Sequence, residues 1–238
     1  MRNKSTTGIP SVIAGAVMAL SVTATGPALS PPAAVAAPAP ATTAPAGAER
    51  HTDPKLLKAA LLAQADMPEG YELKYGPDVM DQQFRAEMGV CEFGTEPKGE
   101  AVAVKAGSVT FSKVLDDLDV SEELLDIGAD AAAAVVVDAV QAPGRCPAHS
   151  YQTDRADDTY EMLVQPMRVP AFAGAAGGYR TVINYGSTGM FARGATVVVA
   201  VGDVALRMEF WGPMRAGQHE VETITAAAVR KLRKTLGS

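Results

Sequence analysis

The stretch GATVVVAVGDVALRMEFW, from Gly194 to Trp211, carries the clearest statement of the fold. Two runs rich in β-branched and apolar residues flank Gly202-Asp203, and two such residues between strand-like runs predict a tight hairpin. A tight turn sets the register. Val201 then faces Val204, followed by Val199 with Leu206, Val197 with Met208 and Ala195 with Phe210, all on one apolar face. Val198 with Arg207, Thr196 with Glu209 and Gly194 with Trp211 share the opposite face, and a β-bulge would invert the assignment beyond it. The run Val197–Val201 has no polar interruption and predicts a central strand covered on both sides.

Working outward, Tyr179 to Tyr185 reads as a strand, and Thr159 to Val164 as another with Tyr160, Met162 and Val164 on one side. Gly174, Gly177 and Gly178 read as a flexible connection between strands. Downstream, Val221, Ile224, Ala228, Leu232 and Leu236 recur at helical spacing and predict a final helix from about His219. At the other end, Asp53 can cap a helix whose first position is Pro54, with Leu57, Ala60 and Leu61 on one face and Pro68 stopping it. Tyr71 to Tyr75 is a short strand candidate, residues 78–100 read as loop with a helical turn around Cys91, and Ala101 to Ser112 alternates as a strand. Ser121-Glu122-Glu123 reads as a helix start, with acids at the positive end of the dipole. Asp130 to Ala142 is an alanine-rich helix stopped by Pro143-Gly144. Successive antiparallel strands with flanking helices give an α+β fold: a twisted, mainly antiparallel sheet with N-terminal and C-terminal helices packed on it and one disulfide.

The N-terminus carries targeting signals. Met1-Arg2-Asn3-Lys4 is basic, an apolar run centred on Val12 to Val22 follows, and Ala34-Val35-Ala36 is an A-x-A pattern, together a secretory signal peptide over residues 1–36. A cut after Ala24 and an uncleaved anchor are the alternatives, the second weakened because a spanning helix needs roughly 20 mainly apolar residues. Residues 37–51 continue a tract of Ala, Pro and Thr, read as a disordered tether or a processing remnant. Residues 52–238 form a single globular domain. The chain is expected to be secreted to the extracellular space, with envelope association as an alternative, and to have no membrane span once the signal is cleaved. No cysteine near the signal can accept a lipid, and no twin arginine is present.

The formal net charge of −6 argues against nucleic acid or anionic lipid as a main partner. Only two cysteines occur, Cys91 and Cys146, and an even count in an exported chain predicts a bridge. Two thiols alone are a poor basis for a closed zinc site, which wants four ligands. The three histidines, His51, His149 and His219, have no metal spacing. His149 lies three residues after Cys146, but a bridged Cys146 is no nucleophile. No G-x-S-x-G elbow, S-x-x-K start or phosphate loop occurs, and Asp116 to Asp126 lacks the spacing of a calcium loop, so this acidic cluster reads as a solvated helix start. No catalytic, metal or cofactor residue is therefore assigned. The remaining candidates are on the polar sheet face: Arg207, Glu209 and Trp211, where Trp211 beside Gly194 leaves room for a flat ligand group. Tyr179 and Tyr185 join them if the hairpin at Gly186 to Gly189 is four residues long. Cross-strand pairing, or a helix lying over this face, is the structural alternative.

Leu56-Leu57, Ala60-Leu61-Leu62 and Asp66-Met67-Pro68-Glu69-Gly70-Tyr71, followed by the cysteine pair and the closing strands and helix of residues 196–236, resemble the actinobacterial exported sensor-like domains typified by the PknH-like extracellular sensor domain. The resemblance runs over residues 53–236. It implies a twisted sheet with flanking helices and an extracellular binding or sensing role without catalysis. The kinase-borne type has more cysteines, and this sequence carries neither a kinase part nor a lipid-accepting cysteine. The expected function is a secreted, non-enzymatic binding or sensor-like domain for an extracellular small molecule, wall component or protein. A secreted hydrolase with an unrecognised site, or a protein-interaction or inhibitory module, is the alternative. Convergent titratable groups in a deep pocket would mark the hydrolase, and an exposed apolar patch the interaction module.

Overall fold

The structure, a computed structural model, describes residues 52–84, 91, 102–152, 159–172, 174–186 and 189–237. The expected signal peptide, the tether, His51 and most of residues 85–101 lie outside the described residues. The element order is α1 (Pro54–Ala60), β1 (Tyr71–Phe84), β2 (Val102–Lys113), β3 (Leu118–Asp126), α2 (Ala129–Arg145), β4 (Ala148–Gln152), β5 (Thr159–Pro166), β6 (Ala176–Tyr185), β7 (Met190–Val201), β8 (Val204–Gly212) and α3 (Gln218–Leu236). The strands form one eight-stranded sheet in the order β1-β2-β3-β8-β7-β6-β5-β4, every pairing antiparallel. It is two meanders, β1–β3 and β4–β8, connected in sequence by α2 and zipped together where β8 returns to β3.

The hairpin register is as the sequence predicts. Val201 pairs with Val204, Val199 with Leu206, Val197 with Met208 and Ala195 with Phe210. Gly202 has φ +59° and Asp203 has negative φ, as a II′ turn requires. The backbone oxygen of Asp203 accepts from Ile127 N–H (3.1 Å) and Gly128 N–H (2.9 Å), tying this turn to the start of α2.

α1 and α3 cover one face of the sheet. Asp53 caps α1 by accepting from Lys55 N–H at 2.9 Å, with Pro54 at its start. Leu57, Leu61 and Leu62 pack with Val109, Phe111, Val199, Leu206, Met208 and Phe210, and with Val221, Ile224, Ala228 and Leu232 of α3, in one buried core. α3 ends at Gly237, which adopts a left-handed φ of +72° and donates its N–H to Arg233 O. On the other face α2 buries Val136, Ala139 and Ala142 against Met162, Val164, Tyr179, Ile183 and Val198. Cys91 and Cys146 form the expected disulfide, with Cα atoms 5.5 Å apart.

Several local readings are corrected. Residues 118–126 are strand β3, not a helix start: Leu118, Val120 and Leu124 alternate inward and satisfy two strand neighbours at once. The acidic cluster is accordingly no solvated helix start, and Glu122 and Asp126 are 1% and 2% exposed. Residues 78–84, read as loop, continue β1, a polar edge strand with register shifts around Gly76-Pro77, where proline is tolerated. Gly177 and Gly178 lie inside β6, not in a flexible connection. A Cβ on Gly177 would stand 2.6 Å from Val140 Cγ2 and 2.8 Å from Val136 O, so this glycine lets α2 settle on the sheet. α2 runs through Pro143-Gly144 to Arg145, closed by Cys146 N–H donating to Ala142 O at 2.9 Å. β4, short and at the sheet edge, had no sequence signal strong enough to read.

Candidate functional site

The face of the sheet under α2 is organised in rows across the strands. One row is Ser108, Glu123, Arg207, Val198 and Gly177, and the next is Thr110, Ser121, Glu209, Thr196 and Tyr179. A third runs Ser112, Asp119, Trp211, Gly194 and Thr181. The composition follows what lies above. Over β6 and β7, where α2 packs, the rows carry small or apolar residues and a buried Tyr179. Over β2, β3 and β8 they carry hydroxyls and charges. The first turn of α2 rests on a fourth row through Ala132, which packs on Ala106, Leu125 and Ala205.

Beside the helix a depression of about 220 Å³ is lined by Ser108, Thr110, Ser121, Glu122, Glu123, Arg207 and Glu209. Arg207 is its centre. Its guanidinium forms an ion pair with Glu123 across the strand boundary and lies 3.6 Å from Glu209 on its own strand. Burial lowers the guanidinium pKa, and the charges of Glu123 and Glu209 more than offset this, so Arg207 is held above its ordinary value. The hydroxyls of Thr110 and Ser121 are 3.0 Å apart. In the third row Asp119 accepts from Lys74 Nζ at 2.7 Å.

Of the residues singled out in the sequence, Arg207, Glu209 and Tyr179 are brought together. Tyr179 is 8% exposed and sits at the α2 side of the depression. Burial pushes its phenol up to about 12, opposed by a hydrogen bond with Thr196 and by Arg207 and helped by the charge of Glu209. The hairpin after β6 does have a four-residue loop, since Tyr185 pairs with Met190. Yet Tyr185 lies at the far end of that strand, edge-on to Tyr160 with ring centroids 4.9 Å apart, away from Arg207. Trp211 does not leave a flat vacancy beside Gly194. Its own indole fills that space, with two ring carbons 2.8 Å from where a Cβ on Gly194 would stand.

Glu123, Ser121, Ser108 and Thr110 are the members that the sequence reading missed. The signal was present in the period-two recurrence of Leu118, Val120 and Leu124, but Glu122 occupies the inward position between them and breaks the apolar pattern. Chemically, the depression offers hydrogen-bonding groups: the Arg207 guanidinium donates, the Glu123 and Glu209 carboxylates accept, and the hydroxyls of Ser108, Thr110 and Ser121 can do either. Among the described residues no group of three or more His, Cys, Asp or Glu is placed to hold a metal ion. No helix among them is long and apolar enough to cross a membrane.

No protein-family model matches the sequence, and no curated protein matches it. Solved structures do. The extracellular domain of PknH from Mycobacterium tuberculosis superposes with a TM-score of 0.52 at 13% identity, covering 79% of this chain and all of that one (100%). A putative uncharacterised protein from Mycobacterium smegmatis gives a TM-score of 0.45 at 12% identity, over 78% of this chain and 100% of that one. The resemblance carried by the helix, the Asp66-Met67-Pro68-Glu69-Gly70 turn and the cysteine pair therefore holds at the level of architecture: the chain has the fold of the PknH extracellular domain.

Proposed function

We propose that this chain works outside the cell as a non-enzymatic binding or sensor-like domain, exported by its N-terminal leader, and that the depression around Arg207 receives a small polar ligand or a wall component. The observation that carries this reading is the contrast along the sheet face. Where α2 lies on it the residues are apolar, and where nothing among the described residues covers it they are hydroxyls and charges arranged around one guanidinium. Such a surface recognises a ligand by several directed hydrogen bonds. The fold shared with an extracellular domain is consistent with export.

The test is native mass spectrometry of the protein purified from its own culture medium, compared with the denatured intact mass. A bound ligand adds mass that disappears on denaturation, and Arg207→Ala removes that added mass. The variant loses roughly 1 kcal/mol or less of stability, because the guanidinium is partly exposed and its ion pairs are screened. Wild-type protein without added mass, or added mass that survives Arg207→Ala, would count against this site.

A further inference from the structure

Arg207 supplies the positive charge of its depression, and that charge is already shared between two carboxylates. It forms an ion pair with Glu123, and Glu209 lies 3.6 Å away. Glu122, which also borders the depression, turns its carboxylate to the other face, where Oε2 accepts from Leu62 N–H. On the depression's own face the lining therefore sets one cation against two carboxylates. The excess continues towards the sheet edge. Asp78 pairs with Ser108 in the first row, and Glu72 with Ser112 in the third, where Lys74 is bound by Asp119. An incoming carboxylate or phosphate would meet Glu123 and Glu209 as like charges around a guanidinium already engaged. A cation would meet unbalanced negative charge.

Glu209 holds the spare capacity. Its side chain is 33% exposed, and the 3.6 Å to Arg207 Nε is beyond a good hydrogen bond. Thr110 and Ser121 bond to each other at 3.0 Å, which uses one hydroxyl proton and leaves the second proton and several lone pairs for a ligand. Their row also extends further than the depression. Tyr75 on β1 pairs with Thr110, Thr110 with Ser121, and Ser121 with Glu209. Tyr75 is 66% exposed, and Lys74 Nζ stands 5.7 Å from its ring centroid. With strands about 4.8 Å apart, the row from Tyr75 to Glu209 spans about 14 Å. A volume of 220 Å³ is below the roughly 300–1,000 Å³ of pockets for drug-sized ligands, so the group seated there is about one sugar ring in size.

Taking the depression around Arg207 as the binding site proposed above, we propose that it selects a hydroxylated ligand bearing a primary ammonium, in its simplest form an amino sugar. The ammonium lies against Glu209 and Glu123 and balances the excess charge of the lining. Ring hydroxyls exchange hydrogen bonds with Ser108, Thr110 and Ser121. Arg207 fixes the two carboxylates and donates its remaining N–H groups to ring hydroxyls, and Tyr75 offers an aromatic face at the open end. The competing account is purely structural: Arg207 with Glu123, and Glu209 with Thr196, are cross-strand neighbours that stabilise the sheet and bind nothing.

The experiment titrates the full chain with D-glucosamine, D-glucose and D-glucuronate, at matched ionic strength and at a pH where the amine is charged. The three share one ring and carry a cation, no charge and an anion. Backbone amide shifts of Ser108, Thr110, Ser121, Glu123, Arg207 and Glu209 report on the site. Glucosamine is expected to bind about tenfold or more tightly than glucose, the scale of one charge-assisted hydrogen bond, and glucuronate to leave these amides unmoved. Glu209→Gln keeps the shape of the side chain and is expected to remove the preference for glucosamine over glucose without lowering the melting temperature. Tyr75→Ala, at an exposed position, is expected to weaken both neutral and cationic sugars. Glucose or glucuronate binding as tightly as glucosamine, at these amides and lost in Arg207→Ala, would overturn the ligand class and leave the site standing. Glucosamine shifts located elsewhere, or unchanged in Arg207→Ala, would overturn the site itself. A glucosamine preference that survives Glu209→Gln, or no shift with any of the three sugars, would also overturn the assignment.

Discussion

Replacing Glu122 with glutamine should make the protein more stable, and only above acid pH. Glu122 points from β3 into the core between Val109 and Met208 and is 1% exposed. Its Oε2 accepts the N–H of Leu62, just after α1, at 2.6 Å, and its Oε1 has no partner. Burial pushes the carboxyl from its ordinary 4.5 up to about 8, against the opposing pull of the Leu62 hydrogen bond and the Lys231 charge, with Asp66 adding to the rise. A folded pKa above the unfolded one means that the folded state holds the proton more tightly. The stability is then fully present below about pH 4.5 and drains away up to about pH 8 at roughly 1.4 kcal/mol per pH unit. Glutamine keeps the shape and the acceptor for Leu62 but cannot ionise. The two proteins should be alike near pH 4.5 and diverge to at most about 5 kcal/mol in favour of Glu122→Gln at pH 8 and above. Urea unfolding of both at intervals from pH 4.5 to 9 measures this difference directly, since all other titrations are shared. Stability curves that stay parallel across that range would refute a neutral buried Glu122.

The disulfide closes a separation of 55 residues, so converting both Cys91 and Cys146 to alanine should cost about 4 kcal/mol on the chain-entropy account, seen as a melting temperature lowered by many degrees in non-reducing buffer. An unchanged melting curve would remove the bridge from the stability of the fold. Gly177→Ala places a methyl 2.6 Å from Val140 Cγ2 and 2.8 Å from Val136 O, and the strain of lifting α2 should cost about 1–3 kcal/mol, whereas Gly144→Ala meets nothing within 4 Å. Comparing the two variants by chemical denaturation checks the packing of α2, and equal stability would contradict it.

What could be read from the residues alone was local. Gly202-Asp203 and the alternation on either side specify the β7–β8 register, because a two-residue turn leaves no freedom to slip and a one-residue error would turn Val199 and Leu206 to the wrong face. The stripe of α3, the Asp53 cap of α1 and the pairing of the two cysteines are similarly short-range or arithmetic. The strand pattern of β3 is masked in the sequence because its inward position 122 is a glutamate, and what makes that tolerable is the N–H of Leu62, just after α1 and 60 residues away in the chain. The same strand supplies Glu123 and Ser121 to the depression, so missing it hid part of the site's polar lining. The polar face of β8 was legible as polar, but not whether it is open: α2 covers Tyr179 and Val198 and leaves Arg207 and Glu209 beside it. That depends on where a helix crosses strands distant in sequence, and non-local packing of this kind leaves no periodic trace in the chain.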